Sequence, residues 1–456
     1  MKQNVFTKLS LIFGVVIFIS VFLLARALIS IAFISIIVLF FINLIINRDF
    51  SFSELKLKRY TPLLFLLLAG VVINSGYLYN YIVYGNAIPL KTVFSISNPI
   101  IIVIYTFSLC YFLSQDKKSA DYLLYVYLLL AVMFSLLCFV LFCLIKFLYN
   151  NSILDVTNSG LRGDLYDIFG NSDLQGIISF TFPLVSLYFL NLVFKANYIK
   201  KRFYYLLFFI LVIFTGLFIN SGKIGYINFL VLFVYCIFII LKRIGVNGNI
   251  WNVTIILLLS LIVSLFLLYK TSGIFHLQVS EFFNSVENFY DAKKETKEAA
   301  TRILYKTSTG QRIIYYTSSL EIFKEYPIIF FGGCSFSGNS YDVVDCAQEL
   351  INSSKALQDN PMVIKDAPLM PHNEFINYTF KGGITASIFL LIFFIYLFYI
   401  TKYLPNHYRL EGRLLILFYF IASIFDYFLT LQYDVIVFFT LLALFLSKIE
   451  NKKSDN

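Results

Sequence analysis

Residues 384–402 read ITASIFLLIFFIYLFYITK, a run in which the first charged side chain is Lys402. A helix of about 20 apolar residues is long enough to cross roughly 30 Å of hydrocarbon. Comparable runs recur from residue 9 to residue 447. The chain is 59% hydrophobic and only 14% charged, whereas soluble domains carry roughly 25% charged residues. The sequence therefore excludes a water-soluble fold and predicts an integral membrane protein.

The apolar runs predict an all-α polytopic membrane protein of about twelve transmembrane helices, with residues 1–456 forming a single membrane domain. The predicted spans are residues 9–25, 28–46, 62–84, 95–114, 122–148, 173–194, 203–219, 225–241, 250–269, 384–402, 413–429 and 431–447. Short loops rich in Lys and Arg remain in the cytoplasm. These loops alternate with the outward segments, so both termini are expected in the cytoplasm. The net charge of +10 is therefore a topology signal, and no nucleic-acid partner is expected.

The longest outward segment, residues 270–383, lies between the ninth and tenth predicted spans. Residues 281–306 have helix-forming composition, and residues 311–325 carry apolar side chains at helical spacing before Pro327. From residue 331 to residue 371 the composition changes to Gly, Ser, Asn, Asp and Pro, which predicts a loop that can act as a lid. The segment is expected to form a small, mostly helical cap followed by this loop.

Two of the six cysteines, Cys334 and Cys346, lie in the outward segment. Extracytoplasmic compartments are oxidising, so a disulfide between the two is predicted, with two unpaired loop thiols as the alternative. The other four cysteines lie within predicted spans, where a free cysteine is ordinarily a small buried apolar residue.

Three cations occupy outward positions near the ends of predicted spans. Arg162 lies in SGLRGDLYDIFGNSDLQG, Lys223 in INSGKIGY and Arg312 in TSTGQRIIYY. Each alone can be a surface side chain, and Lys223 can contact lipid phosphate at the membrane surface. Together they would suit a diphosphate, which arginine binds through two parallel hydrogen bonds.

Only one of the three histidines is placed for chemistry. His407 lies in a basic cytoplasmic loop and His276 just beyond a predicted span. His372 lies in PLMPHNEFINYTFKGGI, where Asn373 and Glu374 are polar partners that we expect to bind the substrate. An imidazole at the mouth of the membrane domain can accept a proton near neutral pH, and the alternative is a capping or packing histidine.

The same segment shows where the next span begins, because the Gly382–Gly383 pair is expected to interrupt the chain just before residue 384.

No group of His, Cys, Asp and Glu has the spacing of metal ligands. Neither a metal nor another cofactor is therefore expected, and a departing diphosphate would be neutralised by protein cations.

The order and outward placement of four segments resemble the O-antigen ligase and O-antigen polymerase superfamily of bacterial envelope glycosyltransferases. The segments are LRGDLYDIFGNSDLQG, SGKIGY, GQRIIYYTSSLEIFKEYP and PHNEFINYTFKGGI. The resemblance implies a GT-C-type membrane domain of the bacterial inner membrane, with a large periplasmic loop between the ninth and tenth spans.

The resemblance also implies roles for particular residues. The family's arginines bind the diphosphate of an undecaprenyl-linked glycan, and a loop histidine serves the acceptor hydroxyl. By motif, the first role falls to Arg162 and Arg312 and the second to His372. The family usually has Arg at the position of Lys223, so this chain keeps the charge there but loses the planar fork.

Three functions remain open at this point. An O-antigen ligase would give the glycan to lipid A-core, and a polymerase would give it to a second lipid-linked glycan. A transporter of lipid-linked sugars is the alternative from another class, since twelve spans are common among transporters. Transporters of this size usually show two related halves with polar or broken helices at mid-membrane, whereas the halves of this chain look unalike.

Overall fold

A computed structural model of the full chain gives the fold. It describes residues 2–23, 25–46, 57–87, 90–149, 172–219, 223–243, 273–292, 308–340, 342–360, 363, 372–406, 408–426, 428–430 and 432–449, together with isolated positions between 259 and 270. All regular secondary structure in these residues is helical, as predicted.

Seventeen α-helices occur in the described part of the chain. They are α1 (Lys2–Phe22), α2 (Arg26–Ile46), α3 (Leu57–Tyr84), α4 (Leu90–Val93), α5 (Pro99–Gln115), α6 (Lys117–Tyr149), α7 (Ser172–Lys195), α8 (Ile199–Phe214), α9 (Lys223–Arg243), α10 (Gly273–Ala292), α11 (Ser308–Glu325), α12 (Pro327–Gly332), α13 (Val343–Ser353), α14 (Lys355–Asp359), α15 (Glu374–Ile400), α16 (Arg409–Phe425) and α17 (Gln432–Ser447). A π-helical turn, Thr215–Ile219, continues α8.

Five helices are long and apolar enough to cross a membrane. These segments are Val5–Phe22, Arg26–Ile46, Lys58–Tyr84, Lys118–Leu141 and Glu374–Tyr403. Shorter apolar helices occur at Pro99–Gln115, Thr181–Lys195, Gly225–Tyr235 and Tyr433–Ser447. The protein is therefore a multi-pass membrane protein, while the count of twelve spans remains a prediction. The predicted span at 250–269 falls largely outside the described residues.

Two expectations about secondary structure need correction. The predicted loop from 331 to 371 contains the helices α13 and α14, so the loop assignment was wrong there. The predicted span 413–429 ends as a helix at Phe425, and the chain then forms a short 3₁₀ turn, Phe428–Thr430.

The chain divides into two compact units. The first comprises Met1–Val21, Ala25–Leu124 and Phe282–Asn456, and the second comprises Phe22–Leu24 and Tyr125–Glu281. In the second, α7 packs against α8 and α9, and the buried Asn228 amide of α9 donates to the Ser179 carbonyl of α7 at 3.0 Å. In the first, α15 packs along α3, and α5 packs against α17.

In the first unit, the helices from α11 to α14 form a small core of their own. α13 presents one apolar face because its buried side chains recur at three- and four-residue intervals. Those side chains are Val343, Cys346, Ala347, Leu350 and Ile351. They pack with Tyr315 and Ile322 of α11 and with Phe380 of α15. This cluster fixes α11 against the first turns of α15.

A pair of glycines in α15 allows the cap to approach closely. Gly383 has φ +72°, and a Cβ there would lie 2.0 Å from the carbonyl oxygen of Phe331. A Cβ on Gly333 would lie 2.7 Å from the backbone nitrogen of Gly382. The helix is interrupted at Gly382–Gly383, as predicted, and the Ser335 hydroxyl donates to the carbonyl of Lys381 at 2.7 Å. Residues 331–335 therefore pack into a notch at Gly382–Gly383, where any residue with a Cβ would clash.

Cys334, which adjoins this notch, is joined by a disulfide to Cys346 of α13, the pairing predicted from the sequence. In unreduced protein, alkylation should modify the exposed free thiol of Cys143 and leave the buried Cys334 and Cys346 unmodified. Mass spectrometry should then recover the two cysteine peptides linked. Recovery of both thiols in alkylated form before reduction would reject the disulfide.

Losing the bond should also lower stability. A Cys334→Ser/Cys346→Ser variant should lose roughly 2–4 kcal/mol of unfolding free energy, since a disulfide restricts the unfolded chain.

Candidate active site

A histidine and an aspartate form the centre of the site. His372 immediately precedes α15, and its Nδ1 lies 3.0 Å from Oδ1 of Asp426. Asp426 follows the last residue of α16, where its backbone N–H donates to the carbonyl of Ala422 at 2.7 Å. The carboxylate favours the imidazole tautomer with hydrogen on Nδ1, which places the lone pair on Nε2. This is the arrangement in which an imidazole serves as an oriented base.

The same carboxylate meets an arginine. Arg312 of α11 places its terminal nitrogen 3.5 Å from Oδ2 of Asp426. Asp426 therefore joins the guanidinium to the imidazole, with one oxygen toward each. The side chains of Arg312, His372 and Asp426 are each 20–25% exposed, so the group is accessible from one side.

One N–H group of the Arg312 guanidinium makes no hydrogen bond in the described part of the chain. That group, at Nε, is buried. Because Nε is shielded from solvent, a ligand oxygen would reach the guanidinium through the exposed part of the side chain, which is 20% of its surface.

Tyrosines of α11 hold the histidine from the other side. The Tyr316 hydroxyl lies 2.7 Å from the carbonyl oxygen of His372 and 3.2 Å from that of Ile424, and the shorter distance favours donation to His372. Burial raises the pKa of Tyr316 above its usual value, so the hydroxyl remains a donor at neutral pH. The Tyr315 ring stacks on the imidazole with 5.8 Å between ring centroids. Tyr316 lies one helical turn beyond Arg312, so α11 presents both to the same site.

Asn373 caps the first turn of α15. Its Oδ1 accepts from the backbone N–H of Ile376 at 3.0 Å, while its Nδ2 donates to the carbonyl of Ile424 at 2.8 Å. The side chain thus ties the start of α15 to the end of α16. This placement gives Asn373 a positioning role beside His372, and its contact with substrate remains a prediction.

Glu374 has an internal position that the sequence did not reveal. Its side chain is fully buried, and its oxygens accept from Asn377 Nδ2 at 3.0 Å and from the Leu429 N–H at 3.2 Å. Such a carboxylate is committed to the protein's own donors. The contact of Glu374 with substrate remains a prediction.

The structure brings together some of the residues predicted from the sequence. Arg312, His372 and Asn373 lie in one site, whereas Arg162 lies outside the described residues. Lys223 is the first residue of α9, in the second unit, and its side chain also lies outside what the structure describes. The shared diphosphate clamp predicted for the three cations therefore remains a prediction.

Sequence reasoning missed Asp426. The predicted span 413–429 runs through Asp426, so this residue was not among the candidate site residues. An acidic residue at the outward end of a span was the signal that could have identified it. Within the described ranges, no group of three or more His, Cys, Asp and Glu side chains could hold a metal ion.

One stretch of the chain is similar to a known protein family. Residues 206–391 match a family model described as O-antigen ligase (Wzy_C), and a search of curated proteins found no match. The matched segment contains Lys223, Arg312 and His372, while Arg162 and Asp426 lie beyond its two ends. Residues 206–391, about two fifths of the chain, are therefore similar to the O-antigen ligase family.

Proposed function

We propose that this protein transfers a glycan from an undecaprenyl-diphosphate-linked donor to an acceptor hydroxyl at the periplasmic face of the inner membrane. The observation that carries the proposal is the Arg312–Asp426–His372 array, in which one carboxylate joins a cation to an oriented imidazole. Arg312 and His372 both lie within the segment that matches the O-antigen ligase family. The array joins an anion-binding group to a proton acceptor, as glycosyl transfer from a diphosphate requires.

The reaction follows from the chemistry of the donor. The acceptor oxygen attacks the anomeric carbon, and the bond from that carbon to the diphosphate oxygen breaks. Nε2 of His372 takes the hydroxyl proton, and Asp426 stabilises the resulting imidazolium. The undecaprenyl diphosphate leaves with the bonding electron pair. Since the donor bond already carries the required free energy, no nucleotide or other cofactor is needed. A single displacement of this kind inverts the configuration at the anomeric carbon.

Cations stabilise the departing diphosphate. Arg312 supplies a guanidinium on a partly exposed side chain, and Arg162 and Lys223 are proposed to supply further positive charge. Because Asp426 offsets part of the charge of Arg312, additional cations are needed to match a diphosphate. The polyprenyl tail remains among membrane lipids along the apolar helices.

Substitution of Arg312 tests this assignment. Arg312→Ala should lower transfer by roughly 100-fold, comparable to removal of one preorganised donor in other enzymes. Arg312→Lys should recover only part of the rate, because lysine returns the charge without the planar fork. Lys223→Arg should be tolerated. The measurement is the initial rate of glycan transfer by purified protein, with expression and thermal stability checked for each variant.

Wild-type rates in Arg312→Ala, Arg162→Ala and Lys223→Ala together would reject the cationic site. Normal folding of the Arg312→Ala variant is a required control, since this change also leaves Asp426 without its ion-pair partner.

We propose lipid A-core as the acceptor, because the loop layout and the PHNE segment resemble the ligase more than the polymerase. The lipopolysaccharide banding of a strain lacking the gene distinguishes the two. A ligase mutant loses every O-antigen band, whereas a polymerase mutant retains core carrying one repeat unit. The second pattern would make the acceptor another lipid-linked glycan.

The proposed orientation has both termini in the cytoplasm and residues 270–383 in the periplasm, as the positive-inside rule predicts. A phosphatase fused after Ser337 should be active, because the enzyme folds only outside the cytoplasm. A fusion after Lys118 should be inactive. The reverse pattern would overturn the orientation.

Transport is the competing function. It would be favoured if the purified protein moved lipid-linked glycan across liposomes without forming a new glycosidic bond. Glycan transfer is favoured over transport because the Asp426–His372 pair accounts for proton transfer from the acceptor hydroxyl.

A further inference from the structure

Two lysines meet at the end of α15 opposite the histidine. Lys402 lies in the 3₁₀ turn Thr401–Tyr403 that follows α15, and Lys58 lies in the first turn of α3. The Lys402 Nζ lies 5.0 Å from the centroid of the Tyr403 ring, and the Lys58 Nζ lies 5.9 Å from the same centroid. Both side chains are exposed. Two ammonium groups are thus gathered around one aromatic ring.

The pair lacks a compensating negative charge in the described structure. Neither lysine forms a salt bridge to a carboxylate among the described residues, while Lys402 also lies 3.5 Å from the centroid of Tyr399. Aromatic rings attract each ammonium but leave the mutual repulsion of the two charges in place. An anion between them would remove that repulsion, so the cluster has the charge of an anion-binding site.

An apolar surface continues from the two lysines along the membrane. On α15 the exposed large side chains recur at helical spacing, so they form one stripe that ends at Lys402. The stripe consists of Ile388, Leu391, Ile395, Phe398 and Tyr399.

A ladder of aromatic rings runs beside the stripe. Phe65 of α3 contacts Tyr396, Tyr396 contacts Tyr399, and Tyr399 contacts Tyr403, with centroid separations of 5.9, 5.6 and 6.3 Å. The seam between α3 and α15 therefore offers a long apolar path that ends in two cations.

We propose that this seam binds one anionic phospholipid, with the headgroup phosphate between Lys58 and Lys402 and an acyl chain along the α15 stripe. A phospholipid combines the two features that the surface presents in sequence, a phosphate at the membrane boundary and a chain within the hydrocarbon. A soluble phosphate would use only the lysines and leave the apolar seam without a function. The site is independent of the proposed glycan transfer, since it lies at the other end of α15 from His372.

Net charge sets the expected preference. A zwitterionic headgroup brings its own ammonium, which the two lysines repel, whereas an anionic headgroup does not. Each lysine near an anionic lipid surface contributes roughly 5-fold to binding, so the pair should favour the anionic lipid by roughly 25-fold.

Native mass spectrometry of the purified full-length chain in detergent tests the proposal. Phosphatidylglycerol and phosphatidylcholine are titrated separately, and bound lipid is counted at each concentration. Wild-type protein should bind phosphatidylglycerol at least about 10-fold more tightly, and Lys58→Gln/Lys402→Gln should remove most of that preference. Lys58→Arg/Lys402→Arg should retain it, because the charges remain.

The control is Lys118→Gln/Lys201→Gln, which removes the same formal charge from two exposed lysines on α6 and α8. This variant should keep the preference of the wild type. Equal binding of the two lipids by wild-type protein would overturn the proposal. An equal loss of lipid preference in Lys58→Gln/Lys402→Gln and in the control variant would also overturn it. Displacement of phosphatidylglycerol by equimolar glycerol 1-phosphate would also overturn it, because the site would then bind free phosphate.

Discussion

Replacing His372 with alanine is expected to lower glycan transfer by roughly 10²- to 10⁴-fold, the usual contribution of a positioned general base. A sugar hydroxyl is a poor nucleophile at neutral pH, and imidazole is the side chain suited to accept its proton there. The hydrogen bond from Nδ1 to Asp426 and the stacked Tyr315 ring fix the direction of the imidazole. The protein should still fold, because His372 lies before α15 and remains partly exposed.

Asp426→Asn should also lower the rate, by roughly 10- to 10³-fold, because an amide stabilises neither the Nδ1–H tautomer nor the imidazolium. If the two residues act as one unit, the double variant His372→Ala/Asp426→Asn should be no slower than His372→Ala alone. Multiplied losses would indicate that Asp426 acts through Arg312 instead.

Controls separate a base from a binding residue. His276 is exposed and its ring contacts that of Tyr269 at 4.5 Å between centroids. His276→Ala and His407→Ala should both transfer glycan at rates near wild type. His372→Gln retains hydrogen bonding without an imidazole, so it should remain as slow as His372→Ala. Near-normal transfer by His372→Gln would contradict general-base catalysis and leave only a positioning role.

Gly383→Ala is expected to have the largest effect on stability. An added Cβ would lie 2.0 Å from the Phe331 carbonyl oxygen, and the φ of +72° is already unfavourable for alanine. Backbone strain and overpacking together should cost roughly 3–5 kcal/mol of unfolding free energy. Residues 331–335 must then move away from Gly383, and the nearby segment that carries His372 should shift with them. The rate of glycan transfer should therefore fall. Thermal unfolding in detergent and the transfer rate measure the two effects.

Gly85→Ala is the matched control for that substitution. Gly85 has nearly the same φ, +73°, but a Cβ there meets nothing within 4 Å. It should therefore lose only the roughly 1–2 kcal/mol of the left-handed backbone. Equal destabilisation by the two alanines would show that the close approach of the cap at Gly383 contributes nothing.

Sequence patterns predicted the features that depend on local chemistry. The apolar run at 384–402 became the membrane-spanning part of α15, since length and hydropathy alone decide that outcome. The break at Gly382–Gly383 followed from two residues that lack a Cβ. α13 was missed, although the spacing of Val343, Cys346, Ala347 and Leu350 is that of an amphipathic helix. The polar residues just before it led to the loop assignment.

Features that depend on tertiary contacts were not predictable from one sequence. The end of α16 at Phe425 exposes Asp426 to His372, yet the apolar composition continues past that point. Glu374 is only two residues from His372, but their side chains diverge at the start of α15, and that of Glu374 is buried against Leu429. Neighbours in sequence therefore do not identify partners in a site.

The most direct test of the account is a reaction with purified components. The full-length chain is incubated with undecaprenyl-diphosphate-linked glycan and lipid A-core, and the new glycosidic product and released undecaprenyl diphosphate are both quantified. Wild-type protein should yield equal amounts of the two products, and His372→Ala should yield at least roughly 10²-fold less of both. Transfer at wild-type rates by a folded His372→Ala protein would contradict the account, as would movement of the donor across liposomes without any new glycosidic bond.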